Sequence, residues 1–200
     1  MYSAFSRREN AVTLLETRAG KPPSAAEMIL RYHRNNGLDS LHQSWEAWES
    51  WFADLQESHT ALAPLVFFRS PQPEYSWVTA AGTVLDSASL ILSSVDVPWD
   101  AQAALCVRAG FLALRHIADF FGVQYKHNPV YPDDPISITR EEFDQVLARF
   151  DEAGVPLKED RNQAWIDYAG WRVNYDKPLL ALSQLTMAPE APWASDRLPA

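Results

Sequence analysis

Seven titratable side chains in the middle of the chain could do chemistry if the fold brought them together. Glu57 and His59 are two residues apart, so on a continuous helix they point in different directions. His116 and Asp119 are three apart and share a face, as a general base and its orienting carboxylate or two metal ligands would. The set that we assign to a buried polar cluster or ligand-binding site is Glu57, His59, Asp86, Arg108, Arg115, His116 and Asp119.

Asp86 is the member whose surroundings the sequence constrains most. It lies in the middle of residues 77–95, a stretch rich in Ala, Leu, Ile and Ser, which predicts a central buried helix. Because an unpaired charge there would cost several kcal/mol, we expect Asp86 to pair with Arg108, Arg115 or His116. A structural role is the favoured interpretation of the cluster. A ligand-binding or ion-sensing pocket and a catalytic centre are the alternatives.

The sequence contains no known catalytic or metal-binding motif that would support the catalytic alternative. A zinc site needs three or four ligands, and the candidates are His59, His116 and Asp119, with nothing to fix their separation. The sequence contains no glycine-rich phosphate loop, GxSxG elbow, HExxH motif or cysteine pair. Cys106 is the only cysteine, and its apolar surroundings predict a buried structural thiol. We therefore assign no catalytic residue, no metal and no cofactor, and we expect a protein that is not an enzyme.

The elements that must position these residues are helices. Hydrophobic residues make up 47% of the chain and glycines number only seven, which favours an all-α fold over a turn-rich β fold. Trp45, Trp48 and Trp51 recur at helical spacing with Phe52 and Leu55, which predicts one core-facing stripe. We expect an irregular single-domain bundle of about seven or eight helices. Cap patterns predict helix starts near Ser6, Ser24, Ser76, Asp100 and Thr139.

The helices fall into three regions separated by one linker. We predict an N-terminal helical arm over residues 1–38 and a central helical core over 39–122. C-terminal helices over 139–193 are predicted to pack on that core. Residues 123–138 contain three prolines and predict the linker between the core and the last helices.

Two helix predictions determine where the candidate residues point. The last long helix is expected over about 159–187, with Asp176 and Pro178 either restarting it or kinking it. In the helix that follows Asp100, the inner stripe is predicted to consist of Leu105, Ala109, Leu112, His116, Ile117 and Phe120.

Charge is distributed unevenly along the chain, whose formal net charge is −9. Residues 1–40 carry six basic and four acidic side chains, and the remaining 160 carry 11 basic and 22 acidic ones. An acidic body repels nucleic acid and anionic lipid, so we expect neither as its partner. A mildly basic start resembles a segment just cytoplasmic of a membrane helix. The N-terminus lacks the apolar core of a signal peptide, and no stretch of the sequence is apolar enough for a membrane span.

Several blocks of the sequence together resemble one known family. They are YSAFSRRENAVTLLETRAGKPPSAAE at 2–27, WEAWESWFADLQESHT at 45–60, and FFRSPQPEYSWVTAAGTVLDSASLIL at 67–92, with the helix around Arg115-His116 and the late Ala191-Pro192-Trp193. Over residues 2–193 the chain resembles the cytoplasmic C-terminal helical domain of bacterial potassium-channel-like membrane proteins with a two-transmembrane pore. The start of the chain resembles the point at which the last membrane helix of that family ends.

The resemblance implies a regulatory or assembly domain at the inner face of the cell membrane. It implies an upstream pore module as partner, a homo-oligomer, and a small ligand or ion as the signal. The chain itself contains no pore helix, filter or membrane span, so it would not conduct ions alone. The family's domain offers no catalytic residue to carry over.

Two alternatives of a different class remain open at this point. The chain could be a stand-alone soluble helical protein that acts as an enzyme through the buried His/Asp/Glu cluster. It could instead be a partner-binding module that uses the exposed part of the tryptophan stripe.

Overall fold

The computed structural model describes residues 2–198. Within that range the chain forms a single bundle of eight α-helices, which confirms the predicted all-α fold. Short 3-10 turns, Leu38–Ser40 and Ala63–Phe67, lie before and after the third helix. The helices are α1 (Tyr2–Ala19), α2 (Ala25–Arg34), α3 (Leu41–Ala61), α4 (Trp77–Ser94), α5 (Ala101–Phe120), α6 (Arg140–Glu152), α7 (Arg161–Arg172) and α8 (Asp176–Leu185).

Helix α4 is the centre of the bundle. Each of its 18 residues is buried, because α2, α5, α7 and α8 pack around it. Its N-cap is Ser76, whose hydroxyl accepts a hydrogen bond from the Val78 amide at 3.2 Å. The predicted central helix and its cap are confirmed, and Asp86 lies halfway along it.

Helix α3 packs mainly on α5. All five residues of the tryptophan-rich stripe are buried, which confirms that it is part of the core. The tryptophan stripe therefore leaves almost no exposed surface on which a partner could bind. Gly110 allows α5 to approach this stripe closely, because a Cβ atom there would lie 2.5 Å from Leu85 and 2.8 Å from Phe52.

The predicted caps at Ser24, Asp100 and Thr139 are confirmed, and the one at Ser6 is wrong. Thr139 forms a full capping box with Glu142, and the Ser24 and Asp100 side chains accept first-turn amide hydrogen bonds. Helix α1 already begins at Tyr2 and extends through Ser6.

The inner stripe predicted for α5 has the wrong phase, and of its six residues Ile117 alone is buried. Leu105, His116 and Phe120 are exposed. The face that packs on α3 and α4 comprises Ala103, Cys106, Val107, Gly110, Phe111, Ala113, Leu114, Ile117 and Ala118. Small residues dominate this face, because α3 and α4 pack closely against it. The predicted burial of Cys106 is confirmed.

The single last helix predicted over 159–187 is two helices. Helix α7 ends at Arg172 and α8 begins at Asp176, so the restart interpretation is the correct one. Pro178 lies in the first turn of α8, where its missing amide hydrogen breaks no helical bond. Beyond α8 the chain returns to the core, where Ala191, Trp193 and Ala194 are buried.

Helix α1 packs against α2, α3 and α4. The described segment 121–139 contains no helix and connects α5 to α6. Among the residues from 2 to 198, no helix is both long and apolar enough to cross a lipid bilayer.

Candidate functional site

The seven residues of the predicted cluster do not converge. Only His59 and Asp86 are buried, and they belong to different clusters. Glu57, Arg108, His116 and Asp119 are exposed, and Arg115 is partly buried. His59 lies in the core on α3, whereas His116 and Asp119 face outward on α5. In the part of the chain described, no three His, Cys, Asp or Glu side chains are placed to bind a metal ion together.

Asp86 is buried as predicted, but its partner is Arg172. Arg172 Nη1 donates to Oδ1 and Oδ2 of Asp86 at 2.9 and 2.8 Å. Oδ1 also accepts hydrogen bonds from the phenols of Tyr168, at 3.1 Å, and Tyr175, at 2.8 Å. The predicted pairing with Arg108, Arg115 or His116 is wrong because Asp86 faces α7 and the start of α8 rather than α5.

The rest of the Arg172 guanidinium contacts two more segments, and Asp176 extends the network to a third. Nε donates to Asp176 Oδ1 at 2.7 Å, and Nη2 donates to the carbonyl of Trp193 at 2.8 Å. Ser137, in the segment between α5 and α6, donates to Asp176 through its hydroxyl at 2.7 Å and its amide at 3.0 Å. Arg172 thus joins α4, α7, α8 and the C-terminal segment, and its partner Asp176 joins the 121–139 segment to them.

Burial determines the electrostatics of this Arg172 cluster. Burial raises the pKa of the Asp86 carboxyl, and the Arg172 guanidinium and the two phenols oppose that shift. The pKa values of Tyr168 and Tyr175 are raised by burial and by the Asp86 carboxylate, so both phenols stay protonated and donate. Since Asp86, Arg172 and Asp176 are at most 2% exposed, we assign the cluster to stability of the fold.

Arg115 and Asp119 belong to a third group at the end of α5. Arg115 donates to the carbonyl and side-chain oxygens of Asn174 at 2.9 and 3.0 Å and to the carbonyl of His127 at 3.0 Å. Tyr125 donates to Asp119 at 2.8 Å. Burial and this hydrogen bond raise the pKa of the Tyr125 phenol. The group fastens the 121–139 segment to the break between α7 and α8.

His59 belongs to a cluster centred on Arg8, a residue that the sequence did not single out. Arg8 Nη1 donates to Nε2 of His59 at 3.2 Å and to the carbonyl of Leu65 at 2.8 Å. Arg8 Nη2 donates to the carbonyl of Phe68 at 2.6 Å, and Nε donates to Glu9 at 2.7 Å. We call this set of Arg8, Glu9, His59 and the carbonyls of Leu65 and Phe68 the Arg8 anchor.

The imidazole in the Arg8 anchor is neutral. Burial, together with the charge of Arg8, lowers the pKa of His59 from 6.5 to about 3. Arg8 has only hydrogens to offer, so Nε2 of His59 accepts, and Nδ1 carries the proton near the Ser58 hydroxyl, 3.0 Å away. The Trp77 ring packs edge-on against the imidazole at 4.9 Å. Within residues 2–198, Oε2 of Glu9 is buried and has no hydrogen-bond partner.

Helical periodicity could have identified Arg8. It precedes the buried Val12, Leu15 and Ala19 by four, seven and eleven residues, so it lies on the same face of α1. The capping-box pattern at Ser6 misplaced the helix start, and an arginine in a first turn is expected to be solvated. The contacts with Leu65 and Phe68 span about 60 residues of sequence, and no local pattern encodes them.

Comparisons with protein-family models, with curated proteins and with solved structures find no match for this chain. The feature that stands apart is the Arg8 anchor, because it fixes the N-terminal helix to the core through a buried charge.

Proposed function

We propose that the chain is the cytoplasmic regulatory and assembly domain of a bacterial ion-channel-like membrane protein, with the pore in an upstream module. The observation that carries this proposal is the Arg8 anchor. A regulatory domain has to be mechanically coupled to the segment that it controls. The buried Arg8 provides that coupling, since its guanidinium joins α1 to the end of α3 and to the turn after it.

Charge at the start of α1 supports the membrane-proximal position. Arg7 and Arg8 lie in the second turn of the helix, and the first turn contains no acidic residue. Basic residues concentrate on the cytoplasmic side of membrane helices. Because α1 is helical from Tyr2 onward, it could continue directly from a preceding membrane helix.

A chain of aromatic rings beside α1 supports an assembly role. Phe5 of α1 contacts Phe68 at 6.2 Å between ring centroids, Phe67 contacts Phe121 at 5.5 Å, and Phe121 contacts Phe120 at 5.2 Å. Phe67, Phe68 and Phe120 are 49%, 43% and 53% exposed. Exposed aromatic groups of this kind mark interaction surfaces. We assign this surface to contact between copies of the chain, which a shared pore would place side by side at the starts of their α1 helices.

In this proposal, a ligand or ion that prefers one state of the core would shift the position of α1. The Arg8 anchor would transmit the shift, because a buried guanidinium cannot lose its acceptors without a large cost. The pore would respond to the population of core states and would need no contact with the ligand.

The test is to add a C-terminal epitope tag at the native gene and to fractionate the cells. The proposal expects the tagged product in the membrane fraction, as an oligomer whose subunit is larger than 22.6 kDa. The Arg8→Met variant should then change ion flux in vesicles, and Arg108→Met, at an exposed position on α5, should leave it unchanged. A tagged 22.6 kDa monomer in the soluble fraction would contradict the proposal and favour a stand-alone protein.

The enzyme alternative has no observation in its favour at the predicted cluster. Its seven residues are divided among separate places, and His59 is buried and neutral.

A further inference from the structure

A cavity of about 240 Å³ opens near the Arg8 anchor. Its wall is built from three segments: the turn and loop at residues 66–73, the start of α4, and the segment that follows α8. These segments are far apart in sequence and meet only in the folded chain. The volume is suited to a small molecule rather than to a nucleotide or a peptide.

Among the residues of the wall that the structure describes, one hydroxyl has no hydrogen-bond partner. Ser70 is 8% exposed, and within the described range its Oγ atom is buried without a hydrogen bond. An unsatisfied buried hydroxyl costs free energy, which a ligand atom in the cavity would recover. Ser70 thus supplies a buried hydroxyl to which a ligand atom would offer the missing hydrogen bond.

Two further features of the wall favour an anion. Arg69 is exposed, and it forms no ion pair or side-chain hydrogen bond with any residue from 2 to 198. Helix α4 begins at the cavity with Ser76 and Trp77, so the positive end of an 18-residue helix dipole faces it. One cation without a partner among residues 2–198 and one helix terminus together match a single negative charge.

The remaining wall is aromatic and apolar. Phe67 and Trp77 line it, together with Met187 from the segment after α8. Aromatic rings and a thioether form favourable contacts with a flat apolar body. The cavity therefore combines an apolar chamber with an anion-binding edge.

We propose that this cavity binds a small aromatic carboxylate. Arg69 pairs with the carboxylate, the Ser70 hydroxyl donates to one of its oxygens, and Phe67, Trp77 and Met187 enclose the ring. A phosphate ester fits less well, since Arg69 is the one cation among the described residues of the wall and a dianion would need a second. The proposal does not depend on the regulatory function proposed above, because a stand-alone protein would bind the same ligand. The loop also carries Phe68, whose carbonyl accepts from Arg8, so an occupied cavity would adjoin the Arg8 anchor.

The test is an NMR titration of the uniformly ¹⁵N-labelled chain with benzoate, benzamide and phenyl phosphate. Benzoate should shift the amide signals of Ser70 and Met187 and the signals of Trp77 in a saturable way, with a Kd in the millimolar range. Benzamide should bind about tenfold more weakly, since it lacks the charge that Arg69 recognises. Phenyl phosphate should bind no more tightly than benzoate.

Variants separate the site from nonspecific association. Arg69→Ala should weaken benzoate binding about tenfold, and the matched Arg7→Ala, an exposed arginine outside the cavity, should leave it unchanged. Equal affinities for benzoate and benzamide would overturn the carboxylate assignment, as would tighter binding of phenyl phosphate. Shifts that map elsewhere, or an absence of shifts with the wild-type chain, would overturn the site itself.

Discussion

Acidification should destabilise this protein through a single buried histidine. In the folded chain the pKa of His59 is about 3, against 6.5 for an unburied imidazole, because burial and Arg8 disfavour the charged ring. The unfolded chain therefore takes up a proton as the pH falls below about 6.5, while the folded chain does not. Stability contributed by the neutral His59 is complete above that pH, and it is lost progressively as the pH falls toward 3.

The size of the loss follows from the width of the pH window. Each pH unit in which only the unfolded chain binds the proton costs about 1.4 kcal/mol. Between about pH 6.5 and pH 4.5, His59 should thus remove roughly 2–3 kcal/mol from the free energy of unfolding. A domain stability is typically about 5–15 kcal/mol, so the effect is large enough to measure.

Urea denaturation followed by circular dichroism at several pH values measures the effect. Carboxylates also titrate in this window, so the comparison is between the wild-type chain and His59→Gln, which cannot gain the proton. The wild type should lose about 2–3 kcal/mol more than His59→Gln over the two pH units. The exposed His116→Gln should follow the wild type.

Parallel pH profiles for wild type and His59→Gln would refute this reasoning. They would mean that the folded chain accommodates the imidazolium without cost. Imidazole ¹⁵N shifts provide a second check, because the Arg8 anchor requires the neutral tautomer with the proton on Nδ1.

Three further predictions concern the free energy of unfolding, measured by the same urea titration at neutral pH. Arg172→Met should cost about 3–5 kcal/mol, because it leaves two buried carboxylates unpaired. The control Arg140→Met, in an exposed ion pair, should cost less than about 1 kcal/mol. Equal losses would contradict the structural role of the buried cluster. Gly110→Ala should destabilise the chain by about 1–3 kcal/mol. The control Gly170→Ala, where an added Cβ has no atom within 4 Å, should stabilise it by up to about 1 kcal/mol. An unchanged stability of Gly110→Ala would mean that α5 shifts away from its neighbours without cost. Thr139→Ala should cost about 1 kcal/mol, and an unchanged midpoint would show that the capping box is not formed in solution.

Local signals predicted the helices well. The caps at Ser24, Ser76 and Thr139 consist of residues within one turn of each other, so the sequence displays them directly. The tryptophan stripe of α3 was equally clear because charged residues occupy its other faces. The first turn of α1 was missed, since the Ser6 pattern matched a cap while the helix had already started.

Pairings between residues that are distant along the chain could not be predicted from sequence patterns. Asp86 and Arg172 are 86 residues apart, and their contact depends on which face of α7 turns inward. Helix α5 has alanine and leucine on more than one face, so its apolar period admits two phases, and the wrong one brought His116 to the inside. The candidate cluster failed for this reason.

The break between α7 and α8 is one of two alternatives that the sequence leaves open. No glycine or proline separates Arg172 from Asp176, and Pro178 lies inside the first turn of α8. Arg172 and Asp176, four residues apart on either side of the interruption, both join the buried network, and no local signal between them marks the break. The cavity beside Ser70 is a product of tertiary structure, since three distant segments form its wall.

The most direct test of the regulatory proposal is to read the source DNA immediately upstream of the Met1 codon. The proposal predicts an open reading frame that continues upstream and encodes two apolar spans around a filter-like loop. An in-frame stop codon next to a ribosome-binding site would contradict it.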